Sequence, residues 1–294
     1  MRLLTEWLIT LGLWLGRALS RLPRILRRPL AWGLGRLLFY LAGTRRRVAM
    51  TNLSLCYPTW SADQRRQVTR DHFVCYARAF FDRFEVWRAD EQTVRRLVSV
   101  RHAHYFEAVK DRPTIVLAPH FLGLDAGGIR LQLDCRMVSM YSNQSSDVLN
   151  NFVLAGRSRF NEPVLLSRQD GIGRLVRLLK RGHTAYFLPD MDFGSRDAVF
   201  ATFFNQPAAT VTSVVRLAQL TGAAVCPMVT RMTDDGYEAE FYPAWFHSPD
   251  QDLQAAVQQM NDFIEQRVLE MPSQYLWTHR RFKTRPDGQA SVYA

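Results

Sequence analysis

Lysine, cysteine and long apolar stretches are scarce in this sequence of 294 residues. Lys110, Lys180 and Lys283 are the only lysines among the 38 basic residues, and the others are arginines, whose planar guanidinium suits carboxylates and phosphates. The four cysteines form no CxxC pair, which argues against a zinc site or a disulfide framework and favours buried free thiols. With 47% hydrophobic and 22% charged residues, the composition excludes a disordered chain, a collagen and a polytopic membrane bundle.

Acidic residues are almost absent from the first 50 positions, where ten arginines are accompanied only by Glu6. This stretch therefore supplies +9 of the formal net charge of +11, and the remainder of the chain is nearly neutral. A uniformly basic protein would indicate a nucleic-acid surface. A basic, apolar amino terminus on a nearly neutral body indicates attachment to a membrane surface instead.

The uncharged stretch from Trp7 to Gly16 is ten residues long, about half of the ~20 residues that a bilayer crossing requires. Apolar residues recur every three or four positions and arginines follow them, which predicts a helix lying in the membrane interface. A signal peptide is disfavoured because most of the positive charge follows the apolar stretch, and a core helix of a soluble domain is the structural alternative. We therefore divide the chain into a membrane-anchoring helix with its basic flank (residues 1–28) and one folded domain (residues 29–294).

Short β-rich runs alternate with helical segments through the body of the chain. The strand-like runs are residues 114–118, 136–141, 184–190 and 223–231. Helical periodicity marks residues 61–88, 148–160, 171–182, 210–222 and 252–271, and the turn TDDG joins two strand-like runs as a hairpin. This order predicts an α/β fold, a single domain with a central, largely parallel sheet covered by helices on both faces.

One strand-like run ends directly before Pro119 and His120, and Asp125 follows five residues after the histidine. In a continuous helix these two side chains would point about 140° apart, but a loop between strand and helix can bring the carboxylate onto the imidazole. Such a carboxylate fixes the ring tautomer and stabilises the imidazolium that forms on proton removal. Ligands of open α/β sheets bind at the carboxyl ends of the strands, so we predict that His120 is a general base oriented by Asp125.

Other catalytic motifs are absent from the sequence. There is no GxSxG elbow, no GxxxxGK[ST] phosphate loop and no HExxH pair, and no serine or cysteine stands next to His120. The simplest mechanism is direct: His120 deprotonates a substrate hydroxyl, which attacks an activated acyl donor without a covalent enzyme intermediate. No metal and no other cofactor is required.

Asp190 and Asp192 close the strand-like run at residues 184–190. The pair could bind a metal ion, but a D-x-D pair without further ligands is a weak signal. Ion pairs with nearby arginines are favoured instead, and the candidates are Arg157, Arg159 and Arg168. An arginine near the reacting carbonyl or a substrate phosphate would supply electrostatic stabilisation, whereas a solvated helix face is the alternative for any one of them.

Two further clusters have open interpretations. His102 and His104 could share a strand face as metal ligands, although surface histidines are commoner. Near the carboxyl terminus, Arg280 and Arg281 belong to a basic cluster beside aromatic residues, which indicates a polyanion-binding site. Nucleic acid is not expected as the partner, because no helix-turn-helix, RNP-like sequence or zinc finger accompanies this cluster.

Six segments spread over most of the chain match a known pattern. They are RRRVAMTNLSLCYP (45–58), HFLGLD (120–125), AGRSRFN (155–161), LLKRGHTAYFLPDMDFG (178–194), FFNQPAATVT (203–212) and QYLWTHRRFKTRP (274–286). Taken together they resemble the late acyltransferases of lipid A biosynthesis in Gram-negative bacteria, the lauroyl and myristoyl transferase family. This joint match is far more specific than the spacing of His120 and Asp125 alone.

The resemblance implies an enzyme on the cytoplasmic side of the inner membrane. Such an enzyme takes an acyl chain from acyl carrier protein and places it on the 3-hydroxyl of an acyl group of a lipid A precursor, a phosphorylated glucosamine disaccharide. The resemblance assigns the catalytic HX4D/E motif to His120 and Asp125, and supporting, substrate-binding roles to Arg157 and Asp190. Relatives often carry glutamate where this chain has Asp125, and the aspartate form is usual in glycerol-phosphate acyltransferases.

Two alternatives therefore stay open from the sequence. The chain could acylate lysophospholipid or glycerol phosphate, or it could be a non-catalytic membrane protein that binds lipid in a degenerate site. The enzyme interpretation depends on an imidazole that is held by a carboxylate at the edge of the sheet and faces a cavity.

Overall fold

The computed structural model describes residues 2–144, 146–167 and 170–293, with side chains described from Glu6 onward. The helices are α1 (Arg2–Leu19), α2 (Arg24–Leu41), α3 (Gly43–Cys56), α4 (Ala62–Val86), α5 (Glu91–Leu97), α6 (Ala103–Glu107), α7 (Leu124–Leu131), α8 (Asp147–Arg157), α9 (Ile172–Lys180), α10 (Ser213–Thr221) and α11 (Leu253–Glu270). The strands are β1 (Val98–Arg101), β2 (Thr114–Leu117), β3 (Met137–Tyr141), β4 (Val164–Ser167), β5 (Thr184–Phe187), β6 (Ala198–Phe203), β7 (Gln206–Val211), β8 (Ala224–Met232), β9 (Tyr237–Phe241) and β10 (Trp245–Phe246).

The main sheet has the strand order β1–β9–β8–β2–β5–β3–β4, and β10 pairs with β8 beside this path. The pairs β1–β9, β8–β2, β2–β5, β5–β3 and β3–β4 are parallel. Strands β8 and β9 are antiparallel and form the hairpin that the TDDG turn predicts, with Thr233 N donating to Gly236 O at 3.0 Å. The prediction of one α/β domain with a largely parallel sheet is confirmed.

The central strand β2 shows why helices cover both faces of the sheet. Ile115 and Leu117 belong to one hydrophobic core, to which α9, α10 and α11 contribute. Val116 belongs to the other core, where Ile129 of α7 packs. Successive residues of a strand point to opposite faces, so a strand whose residues are all buried requires a covering layer on each side.

Helix α4 begins where the sequence predicts. Ser61 Oγ accepts a hydrogen bond from Gln64 N, and the Gln64 side chain accepts one from Ser61 N in return. This reciprocal capping satisfies backbone donors that the first turn of a helix leaves unpaired. The long helix then packs against α1, α2 and α3, and Arg78 donates to Gly236 O in the turn between β8 and β9 at 3.2 Å.

The β6–β7 hairpin is not among the strands predicted from the sequence, and Thr210, which the periodicity placed in a helix, lies in β7. Its stability comes from a distant part of the chain. Gln254 and Gln258 of α11 donate to Phe200 O and Thr202 O of β6 at 2.7 and 3.0 Å, and alternate β6 residues are buried beneath that helix. Such tertiary pairing overrides local periodicity.

The amino-terminal helices lie on the surface of the domain. At Gly16 of α1, a Cβ atom would lie only 2.4 Å from the Phe84 ring, so this glycine allows close contact with α4. Helix α2 packs along α4 and extends across the domain boundary expected at residue 28. In the described part of the chain, no helix combines the length and apolar character that a bilayer crossing requires.

Candidate active site

His120 and Asp190 stand at equivalent positions after two neighbouring strands. Parallel strands β2 and β5 pair with Leu117 opposite Phe187, the last residue of each strand. His120 follows the first strand by three positions, and Asp190 follows the second by three positions. Because parallel strands in register end at the same edge of the sheet, two side chains 70 residues apart in the sequence meet there.

The Asp190 carboxylate holds His120 through both its side chain and its backbone. His120 Nδ1 lies 2.7 Å from Asp190 Oδ1, and the His120 backbone N donates to Oδ1 and Oδ2 at 3.2 and 3.0 Å. Burial alone would raise the pKa of Asp190, but the charge of His120 and these hydrogen bonds lower it to about 2. An ionised carboxylate can only accept, so Nδ1 carries the ring proton and Nε2 remains as the basic nitrogen.

Asp125 has other partners, and the predicted contact between Asp125 and the imidazole is wrong. Its Oδ2 accepts from Arg83 Nε at 3.0 Å and its Oδ1 accepts from Arg157 Nε at 2.9 Å. Asp125 lies in the first turn of α7, where the helix directs its carboxylate toward arginines of α4 and α8. Burial raises the pKa of Asp125, but the two guanidiniums outweigh burial and bring it below its ordinary value.

A cavity of about 730 Å³ opens beside these groups. His120, Asp125, Arg83 and Arg157 line it, together with residues at the carboxyl ends of β3 and β5. Much of the remaining wall is apolar and includes Leu122, Leu124, Ile129, Met137, Met140, Leu165, Ile172, Leu188, Met191, Val211 and Leu276. A cavity of this size with apolar walls and a few convergent polar groups is typical of a site for a large, partly apolar ligand.

The carboxyl-terminal segment forms the wall behind the imidazole. Leu276 N donates to His120 O at 3.0 Å and Leu122 N donates to Gln274 O at 2.9 Å, so two backbone hydrogen bonds join this segment to the loop after β2. Tyr275 is buried against Asp190, and burial together with the aspartate charge raises the pKa of its phenol well above the ordinary value. The phenol therefore keeps its proton beside the carboxylate that holds His120.

His279 is a second histidine close to the pair. Its Nε2 accepts from the backbone N of Asp192 at 2.9 Å. Burial and the charge of His120 lower the pKa of His279 to about 4, so this ring is neutral at physiological pH. His279 therefore acts as a hydrogen-bond acceptor that positions the loop after β5.

Asp192 does not join Asp190 at a common ligand position. Its oxygens accept from Gly194 N at 2.9 Å, from Thr284 Oγ1 at 2.7 Å and from Thr284 N at 2.6 Å. These bonds tie the loop that carries Asp190 to the carboxyl-terminal segment. The two aspartates thus have different partners. Asp190 binds His120, whereas Asp192 binds its own loop and Thr284.

The arginines expected to pair with these aspartates lie elsewhere. Arg157 binds Asp125, Arg159 donates to Ala89 O at 2.8 Å, and Arg168 lies outside the described residues. His102 and His104 do not share a strand, since His102 precedes α6 and His104 lies within it, with their ring centroids 6.0 Å apart.

Arg280 and Arg281 separate into two very different environments. Arg281 is only 2% exposed and donates to Ala209 O and Thr210 Oγ1, each at 2.8 Å. The structure does not support substrate binding by Arg281, because its guanidinium is buried and both of its Nη atoms donate to partners within the domain. Arg280 is exposed beside the Tyr293 ring and outside the cavity lining, and its substrate contact stays a prediction.

This difference gives a paired test of stability. Replacing Arg281 by alanine is expected to lower the free energy of unfolding by about 3 kcal/mol or more, because buried acceptors lose their charged donor. Replacing the adjacent Arg280 by alanine is expected to change it by less than about 0.5 kcal/mol. Denaturant unfolding followed by circular dichroism measures both variants, and equal effects would contradict the assigned environments.

Sequence reasoning did not identify Arg83 as a site residue. Tyr76, Ala79, Phe80 and Arg83 are spaced by three or four positions and all line the cavity, so one face of α4 forms a wall of the site. Helical periodicity predicted this helix over residues 61–88, but periodicity does not say which element a helix face meets. The missing information was the position of α4 relative to α7.

Known proteins are similar to this chain over nearly its whole length. A family model for bacterial lipid A biosynthesis acyltransferases matches residues 1–284. Over 293 residues the chain is 30% identical to the lipid A biosynthesis lauroyltransferase of Escherichia coli, covering 98% of this chain and 95% of the relative. It is 31% identical over 254 residues to the palmitoleoyltransferase of the same organism, covering 85% of this chain and 82% of the relative.

A lipid A biosynthesis acyltransferase of Haemophilus influenzae is 33% identical over 288 residues, covering 96% of this chain and 90% of the relative. The matches therefore include both the amino-terminal helices and the cavity-bearing domain. On these grounds the chain belongs to the bacterial lipid A biosynthesis acyltransferase family and is an enzyme that transfers acyl groups.

Proposed function

We propose that this enzyme transfers an acyl chain from acyl carrier protein to the 3-hydroxyl of an acyl group on a lipid A precursor. The observation that carries the proposal is the His120–Asp190 pair at the wall of a large, mostly apolar cavity. The pair provides a base for a hydroxyl, and the apolar wall provides room for a fatty acyl chain. The names of the relatives, which include lauroyl- and palmitoleoyltransferases of lipid A biosynthesis, support the transfer of a fatty acyl chain in lipid A biosynthesis.

In the proposed reaction His120 Nε2 takes the proton of the acceptor hydroxyl as its oxygen attacks the thioester carbonyl. An oxygen–carbon bond forms and the carbon–sulfur bond breaks, and the proton passes from the imidazolium to the departing thiolate. Asp190 keeps the ring in the required tautomer and stabilises the imidazolium that forms between these two proton transfers. The two substrates exchange the acyl group directly, without an acyl-enzyme intermediate.

Direct transfer is supported by the groups around the imidazole. The four cysteines are not among the residues that line the cavity in the described part of the chain. Ser139, Ser142 and Ser213 line it, and Ser139 donates its hydroxyl to Tyr186 O at 3.0 Å, at the carboxyl end of the neighbouring strand. Incubation with acyl carrier protein donor alone is therefore expected to leave the intact mass of the enzyme unchanged.

The acceptor is proposed to reach the site from the cytoplasmic face of the inner membrane. On α1, Trp7 is 75% exposed and Trp14 is 64% exposed, and many large apolar side chains of α2 are exposed as well. Helix α1 also meets the rim of the cavity. Ser146 Oγ donates to Glu6 Oε2 of this helix at 2.7 Å, and the nearby Gln144 lines the cavity. An apolar surface next to the cavity would hold the opening close to the lipid headgroups.

Removing both tryptophans tests this membrane contact. The double variant Trp7→Ser and Trp14→Ser is expected to lower binding to anionic phospholipid vesicles roughly tenfold or more, because each ring contributes apolar area and interfacial preference. Phe246→Ser is the matched control, since Phe246 is 59% exposed in β10, far from α1 in the chain. Vesicle co-sedimentation measures the difference, and equal binding of the double variant and wild type would refute the proposed contact.

Mass spectrometry of lipid A tests the proposed acceptor. A strain that lacks this protein is expected to lose one secondary acyl chain from lipid A, and the gene supplied in trans is expected to restore it. If the chain instead acylates lysophospholipid or glycerol phosphate, lipid A stays intact while purified enzyme consumes one of those acceptors. A non-catalytic lipid binder would retain labelled lipid and form no product with any of them.

A further inference from the structure

Two guanidiniums meet one carboxylate at the wall of the cavity. Arg83 Nη2 lies 2.8 Å from Asp125 Oδ2, and Arg157 Nη2 lies 2.9 Å from Asp125 Oδ1. The Nε atoms of both arginines donate to the same two oxygens. Each arginine thus uses one edge of its guanidinium, formed by Nε and Nη2, to hold the aspartate.

The opposite edge of each guanidinium remains available. Toward residues that the structure describes, Nη1 of Arg83 and Nη1 of Arg157 donate no hydrogen bond. The two arginine side chains are 33% and 34% exposed, whereas the Asp125 side chain is 11% exposed. One arginine would neutralise Asp125, so the pair leaves a net charge of +1 and several free donors at the cavity wall.

Further contacts hold the Arg83 guanidinium and the Arg157 backbone in place. The Arg83 guanidinium lies over the Trp87 ring, 5.2 Å from its centroid. The backbone of Arg157 is held by the fully buried Gln132, whose Nε2 donates to Arg157 O at 2.8 Å. Gln132 Oε1 also accepts from the backbone N of Arg159 and Phe160, both at 3.1 Å. Donors fixed in this way lose little conformational entropy when an anion binds.

We propose that Arg83 and Arg157 together bind a phosphate group of a substrate, with Asp125 as the bridge that sets the spacing of the two guanidiniums. The planar donor edge of arginine matches two phosphate oxygens, and two such edges on a site of net charge +1 favour a phosphate over a neutral group. This inference rests on the proposed function. Asp125 is then a positioning residue for the two arginines, and Arg83 is a substrate-binding residue.

The phosphate has two possible sources within the proposed reaction. One is a phosphate on the glucosamine disaccharide of the acceptor. The other is the phosphodiester that joins the thiol-bearing arm of the donor to its carrier protein. The chemistry of recognition is the same for both, so the experiment compares each substrate with and without its phosphate.

Arg83→Gln is the variant for this test, and Arg66→Gln is its matched control because Arg66 is exposed near the start of the same helix and outside the cavity lining. Steady-state rates are measured with acceptor before and after phosphatase treatment. They are measured again with acyl-phosphopantetheine and acyl-pantetheine as small donors. Arg83→Gln is expected to raise KM roughly 10- to 100-fold for the substrate whose phosphate is bound.

For that same substrate without its phosphate, the KM values of wild type and Arg83→Gln are expected to agree within about threefold, because the substrate no longer has the group that Arg83 binds. The pair of substrates that shows this non-additive behaviour identifies the source of the phosphate. Arg83→Lys, which keeps the charge but loses the planar fork, is expected to recover part of the affinity. The inference is overturned if Arg83→Gln raises KM by the same factor with and without the phosphate in both pairs of substrates.

A binding measurement separates this inference from the proposed function. Millimolar inorganic phosphate is expected to protect wild type, but not Arg83→Gln, against thermal unfolding. Protection of both proteins to the same extent, or of neither, would count against the site even if wild type transfers acyl chains. Protection of wild type alone would uphold the site even if lipid A proves not to be the acceptor.

Discussion

Replacing His120 by alanine is expected to lower turnover roughly 10²- to 10⁴-fold, with carrier-protein donors and lipid A precursor as acceptor. The imidazole is the proposed base, and Asp190 holds it at the cavity wall through both its Nδ1 and its backbone N. Alanine removes the proton acceptor but leaves the cavity and the guanidinium pair in place. The loss should therefore appear in kcat more than in KM.

His104→Ala is a suitable control, because His104 is an exposed histidine outside the cavity lining. Its rate is expected to match wild type. Circular dichroism of the His120 variant shows whether the fold is retained. Near-wild-type turnover of a folded His120→Ala protein would remove the general base from the proposed mechanism.

Replacing Asp190 by asparagine is expected to lower kcat by a similar factor, roughly 10²- to 10⁴-fold, although the two side chains have nearly the same shape. Asparagine carries no negative charge and does not hold the ring in one tautomer. Asp190 is ionised throughout the physiological range, because its contacts with His120 lower its pKa to about 2. The charge that stabilises the imidazolium is thus lost completely in the variant.

The split between kcat and KM distinguishes Asp190 from Asp125. Asp190 contacts the imidazole, so Asp190→Asn is expected to lower kcat with KM nearly unchanged. Asp125 contacts Arg83 and Arg157 instead, so Asp125→Asn is expected to raise KM by releasing the two guanidiniums.

The opposite result would restore the pairing expected from sequence. If Asp125→Asn lowers kcat alone and Asp190→Asn leaves kcat near that of wild type, the carboxylate that acts on His120 in the working enzyme is Asp125. Steady-state measurement of both variants, with the same donor and acceptor, decides between the two aspartates.

Much of the fold could be predicted from local patterns. The hydrophobic run at β2, the Ser61 cap of α4 and the TDDG turn each specify their element through neighbouring residues. The β6–β7 hairpin could not be predicted, because the amides that stabilise it belong to α11, about 50 residues further along the chain. Local periodicity carries no information about such partners.

The candidate site likewise has some features that the local sequence predicts and others that depend on the tertiary structure. The sequence by itself determined that a histidine follows a buried strand, that arginine is the main cation, and that the amino terminus is basic and apolar. Only the tertiary structure decided which carboxylate holds His120, because β2 and β5 are neighbours in the sheet although they are far apart in the chain. It likewise placed Arg83 on Asp125 and buried Arg281, since burial and charge pairing depend on which surfaces pack together.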